Sequence, residues 1–239
     1  MRLILVRHGR TVSNVRHLLD TAVPGPSLDE VGRGQAEDLV GLLRDQRIGW
    51  IGSSGLTRAR ETAAPLAAAL GLDVTVLPGL REVAAGDREM CGDEESVRAY
   101  LGVVGEWLHG RTEVRMPGAE SGTEFFARFD AAVASARSAA AAAGAGTFAL
   151  VSHGAAIRTW AGSRVGDVDA DFVVRTGLLN TGVVELEEAG PTAPDGPDGA
   201  PAWVCRRWMG VAVPTARAAA AGAGPAAEPA PARPPASIF

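Results

Sequence analysis

Two short apolar runs set the architecture. Leu3-Ile4-Leu5-Val6 has no charged or polar break, and Thr147-Phe148-Ala149-Leu150-Val151 reads the same way. Runs of this length suit strands buried on both faces, as in a parallel sheet. Further strands are expected at 48–52, 74–77, 182–187 and 203–208. Helical periodicity fills the gaps. In 29–45, Ala36, Leu39, Val40 and Leu43 recur at i, i+3, i+4 and i+7. In 56–71, Ala59, Ala63, Leu66, Ala67 and Leu70 do the same, and Pro65 predicts a kink. Residues 95–108 form a third helical segment. Residues 122–143 form a fourth, opened by the capping-box pattern Ser121-x-x-Glu124. Strands alternating with helices imply an α/β domain, a three-layer α/β/α sandwich with a mostly parallel central sheet.

Residues 189–201 read as a loop between the last two strands. The folded domain is expected to span 1–213. The Ala/Pro-rich tail, 214–239, offers too little bulky apolar surface to offset its ordering entropy and is expected to be disordered.

Composition excludes several chemistries. All 23 basic side chains are Arg and none is Lys. There is therefore no Schiff-base Lys and no P-loop of the G-x-x-x-x-G-K-[ST] type. A bound anion must be held by Arg, His, polar side chains or backbone N–H. The net charge of −5 argues against general nucleic-acid binding. Cys91 and Cys205 form neither a metal-ligand spacing nor a disulfide framework. No apolar run approaches the ~20 residues of a membrane helix, and the run after Met1 is short for a signal peptide. The expectation is a cytoplasmic, reduced protein without metal or other cofactor.

Two of the four histidines share a context. His8 lies in Val6-Arg7-His8-Gly9 and His153 in Val151-Ser152-His153-Gly154. Each follows an expected strand, at the edge where open α/β sheets place ligands. Arg7, Asn14, Arg58 and Glu82 also fall near element ends. Arg is a bidentate partner for phosphate oxygens. His is a nucleophile near neutrality, and a carboxylic acid can protonate a leaving oxygen.

Arg7-His8-Gly9-x-Thr11-x-x-Asn14 resembles the signature of the histidine phosphatase superfamily, in its phosphoglycerate-mutase-like branch. Further blocks resemble that family in order: Leu28 to Ala36, Ser53 to Ala63, Leu80-Arg81-Glu82 with Gly86, Pro117-Gly118-Ala119-Glu120-Ser121, Val151 to Gly154, and Leu179-Asn180-x-Gly182. The resemblance spans about residues 1–208. It implies that His8 attacks phosphorus and that Arg7, Arg58, His153 and Gly154 surround the phosphoryl oxygens. It implies further that Asn14 adds a hydrogen bond and that Glu82 acts as acid and then base, without a metal. Arg10 departs from the acidic residue or Gln often seen there. It is read either as a contact to a second anion on the substrate or, in preference, as the partner of a surface carboxylate. Ala119 replaces a usual Gly, and the stretch Asp87 to Cys91 lacks a Gly that often follows the Glu.

The resulting expectation is a phosphatase that hydrolyses phosphomonoesters of small metabolites through phospho-His8. Three alternatives accompany it: a phosphoglycerate-mutase-type phosphotransferase, a protein-phosphohistidine phosphatase, and a non-catalytic domain that binds phosphorylated ligands. The compact segment 83–120 favours hydrolysis over the mutase. The substrate and the oligomeric state are not read from the sequence. His17, His109, Arg60, Arg81 and Cys91 are read as packing or surface residues, and Trp107, Trp160, Trp203 and Trp208 as core or edge packing. Glu94, Arg98, Tyr100 and Arg115 are the polar candidates for choosing the substrate.

Overall fold

The computed structural model describes residues 1–190 and 202–212. Seven strands form one sheet: β1 (Arg2–Arg7), β2 (Ile48–Ser53), β3 (Val74–Val76), β4 (Thr147–Ser152), β5 (Val183–Glu188), β6 (Trp203–Trp208) and β7 (Val211–Ala212), in the order β3-β2-β4-β1-β5-β6-β7. The pairs β3·β2, β2·β4 and β4·β1 are parallel. From β5 outward the pairings are antiparallel. Five of the seven strands run one way, and β5 and β7 oppose them. Among the described residues seven helices accompany the sheet: α1 (Val12–Val15), α2 (Glu30–Leu43), α3 (Thr57–Leu70), α4 (Glu94–Leu108), α5 (Gly122–Ala142), α6 (Gly154–Arg164) and α7 (Ala170–Arg175). The α/β sandwich is as the sequence implies.

The unbroken apolar runs have their physical reason in two cores. Leu3 and Leu5 of β1 and Phe148 and Leu150 of β4 point to a core shared with α4, α5 and α6. Ile4 and Val6, with Ala149 and Val151, point to the other core, shared with α2 and α3. Successive side chains alternate across the sheet, so a strand covered on both faces must be apolar throughout. All four residues of each set are buried.

The same arrangement places the site. β1 and β4 are neighbours, yet the long helix after β1 (α2) and the helix after β4 (α6) cover opposite faces. A crevice opens at the C-terminal ends of adjacent parallel strands whose connections diverge in this way. His8 and His153 stand one residue beyond those two ends.

The expected helices differ from the observed ones in detail. α3 runs unbroken through Pro65. The helix expected to reach residue 45 ends at Leu43 and continues as a 3-10 turn. α5 has the expected capping box, with Ser121 accepting from the Glu124 N–H and Glu124 from the Ser121 N–H. α6 was not anticipated. Gly154, Ala155, Ala156, Ile157, Thr159, Trp160 and Ala161 are all buried, so it lacks the polar face that would reveal a helical period. The expected loop at 189–201 lies largely outside the described residues, and so do the tail at 214–239 and the domain boundary at 213.

Candidate active site

His8 is buried at the end of β1. Its Nδ1 lies 2.7 Å from the Gly9 carbonyl, so Nδ1 carries the proton and donates. Nε2 then holds the lone pair and accepts from Nε of Arg58 at 3.0 Å. Burial, with Arg58 and Arg7 close by, holds the His8 pKa well below 6.5, which keeps the ring neutral. The turn that carries it is pinned on several sides. The His8 N–H donates to Ser152 O, Gly9 N–H to Thr62 Oγ1, and Asn180 Nδ2 to His8 O.

Arg58 comes from the first turn of α3, directly after β2. Its Nη2 donates to the Asp20 carbonyl at 2.9 Å, and its Nη1 is buried with no partner. Arg7 closes β1 and donates from Nη1 to Leu178 O at 2.5 Å, while its Nε is buried without a partner. Burial lowers its pKa to about 10, so it keeps its charge at neutral pH. Gly154 lets this guanidinium lie close, because a Cβ there would meet Arg7 Nε at 3.2 Å.

His153 lies behind His8, with ring centroids 5.1 Å apart. Its Nε2 is 2.8 Å from Ser54 Oγ. That oxygen also accepts from the Leu56 N–H. Nδ1 of His153 is buried without a partner among the described residues. Burial, then Arg58, lowers its pKa well below 6.5 as well.

Glu82 follows a 3-10 turn after β3. Its carboxylate accepts from the N–H groups of Val83 (2.9 Å), Ala156 (2.7 Å) and Ala155 (3.2 Å), the last two in the first turn of α6. Arg128 of α5 fixes the segment beneath, donating to the carbonyls of Gly79, Arg81 and Glu82 and to Glu120.

Arg7, His8, Asn14, Arg58 and Glu82 line one pocket, together with Thr11, Ser13, Leu18, Leu19, Asp20, Thr21, Tyr100 and Ala155. Asn14 spends its oxygen on Thr11 and Asn180, so its amide nitrogen is what it has to offer a ligand. Arg10 lies outside this lining. It makes the carboxylate pair rather than the anion contact, with Asp29 at the start of α2 (2.8 Å). Arg81 pairs with Glu120, Arg98 with Glu94 and Arg115 with Glu124, and none of these six lines the pocket. Arg60 is exposed and His109 caps the end of α4. Thr62 and Asn180 fall in the family-like blocks without a role assigned there, and Ser54 and Asp20 carry no signal that singles them out, since the roles of all four depend on strands and loops that meet only in three dimensions. The described residues hold no group of three or more His, Cys, Asp or Glu able to take a metal ion. None of their helices is long and apolar enough to cross a membrane.

One pocket therefore brings together a neutral histidine with its lone pair against a buried guanidinium, a second buried guanidinium and a carboxyl group, while His153 stands beside His8 outside that lining. The chain belongs to the histidine phosphatase superfamily (branch 1), whose family model matches residues 3–192. It is 43% identical over 90 residues to an adenosylcobalamin/alpha-ribazole phosphatase of Salmonella typhimurium, covering 38% of this chain and 44% of that protein. It is 33% identical over 139 residues to a probable phosphoglycerate mutase of Yersinia pestis, covering 56% and 61%. The matched stretches thus span less than two thirds of either relative. A mycobacterial glucosyl-3-phosphoglycerate phosphatase solved with VO3 superposes at a TM-score of 0.68 and 26% identity, over 88% of this chain and 99% of that one.

Proposed function

We propose that this chain is a metal-independent phosphatase acting on phosphomonoesters of small metabolites in the cytoplasm, through a phosphohistidine on His8. The observation that carries this reading is the His8 tautomer: Nδ1–H bound to Gly9 O, and the Nε2 lone pair held against Arg58 in a pocket shared with Glu82. An arriving phosphoryl oxygen takes over the Arg58 Nε–H and leaves that lone pair to phosphorus. Nε2 attacks in line, the ester P–O bond breaks, and the Glu82 carboxylic acid gives its proton to the departing oxygen. Water then attacks phosphorus, Glu82 takes its proton, and the P–N bond breaks to return His8. Arg7, Arg58 and His153 each have a buried nitrogen without a partner among the described residues, which suits the equatorial oxygens of the transition state. Their fixed charges and dipoles supply the stabilisation that a metal ion supplies elsewhere.

The test is a panel of phosphomonoesters assayed in chelator, with His8→Ala beside the native chain. Native turnover, its absence in His8→Ala, and an acid-labile phosphoenzyme on rapid quench are the expected outcome. Undiminished turnover in His8→Ala overturns the phosphohistidine route. Phosphate appearing on an added acceptor instead of in solution turns the reading to the mutase-type transfer.

A further inference from the structure

The pocket's own charges point to what the ester's alcohol half must look like. Its lining cations are Arg7 and Arg58, and both sit where the phosphoryl group binds on the reading above. The remaining charged lining residues are Glu82 and Asp20. Arg10 is paired with Asp29, Arg81 with Glu120, and Arg158 donates to the Val173 carbonyl. Asp20 is held in place from the pocket wall, with Ser13 Oγ donating to its Oδ2 at 2.5 Å. Its backbone carbonyl is tied to Arg58, so its position is coupled to the phosphoryl site.

We propose that Asp20 determines specificity by accepting from hydroxyls of the alcohol half, so that the preferred substrates are esters of uncharged polyhydroxylated alcohols. The proposal rests on the phosphatase reading. Oδ1 of Asp20 takes the substrate hydroxyl, while Ser13 holds Oδ2 and fixes the carboxylate. An alcohol half with a carboxylate or a second phosphate meets the fixed Asp20 carboxylate, and like charges brought together in a site are costly.

The test compares two esters on one three-carbon frame: glycerol 3-phosphate, which ends in a hydroxymethyl group, and 3-phosphoglycerate, which ends in a carboxylate. kcat/KM is measured for each, and calorimetric binding of each is measured in parallel, so that a chain without hydrolytic activity still reports a preference. The native chain should favour glycerol 3-phosphate by at least about tenfold, chiefly through KM. Asp20→Asn keeps the size and removes the charge, and should shrink that ratio to about threefold or less. Asp20→Glu keeps the charge and should keep the direction of the preference. Equal treatment of the two esters by the native chain, a preference for 3-phosphoglycerate, or an unchanged ratio in Asp20→Asn overturns the role of Asp20. A binding preference without turnover supports the role of Asp20 and removes the phosphatase reading instead.

Discussion

Glu82 and His8 are both held by backbone groups, and that governs how each can be replaced. Three N–H donors, two of them from α6, fix the Glu82 carboxylate at the pocket wall. Gln accepts the Val83 and Ala156 bonds through its one oxygen, gives up the Ala155 bond, and has no proton to lend. Glu82→Gln should therefore lower kcat on alkyl phosphates by about 10²–10⁴-fold and on p-nitrophenyl phosphate by far less, since a good leaving group needs no acid. Equal losses on both esters, measured at saturating substrate, speak against the acid role. Arg58 illustrates why charge alone is not the requirement. One guanidinium meets His8, the Asp20 carbonyl and the pocket at once. An ammonium lacks that planar fork.

At the scale of elements, the close approach of α2 to the nucleophile turn depends on two glycines. A Cβ on Gly32 would lie 2.1 Å from Arg10 O, and one on Gly9 would lie 2.6 Å from Gly32 O. Gly34, two residues along the same helix, is exposed and has nothing within 4 Å of its Cβ position. The two positions should respond in opposite directions. Gly32→Ala should destabilise the fold by about 1–3 kcal/mol through backbone displacement. Gly34→Ala should stabilise it by about 0.5–1 kcal/mol through helix propensity. Denaturant melts of the two variants check this pair, and a neutral Gly32→Ala would show that α2 can shift freely. The elements themselves were largely legible. β6 has the boundaries its sequence implies, and α5 begins at its capping box. α6 was hidden because burial on nearly all sides erases the polar half of the pattern.

Across the whole molecule, the crevice buries two neutral histidines between two cores, and this links stability to pH. Burial lowers the folded-state pKa of both His8 and His153 below 6.5. Above pH 6.5 neither the folded nor the unfolded state protonates them, and their burial carries no protonation penalty. Below 6.5 the unfolded chain takes up the protons first, so stability falls as pH drops from 6.5 toward the lower folded values. The slope approaches about 1.4 kcal/mol per pH unit for each histidine. Urea midpoints between pH 7.5 and 5 should show the loss, and replacing both histidines with Gln should flatten it in that range. A native chain equally stable at both ends would contradict the burial-driven shifts.

The sequence by itself determined the layers of the sandwich, because a strand covered on both faces must be apolar at every position. It also marked His8, His153, Arg7, Arg58 and Glu82, because their types and their places at element ends suit one chemistry. Tertiary structure alone decided which groups they meet. β1 lies beside β4, 145 residues apart at Arg2 and Thr147, and that pairing sets the two rings 5.1 Å apart. It turned Arg10 to Asp29, gave the oxygen of Asn14 to the turn, and brought Asp20 to the pocket wall. Local pattern encodes burial and residue chemistry. Proximity between distant segments follows from how the sheet orders its strands, and no local window carries that order.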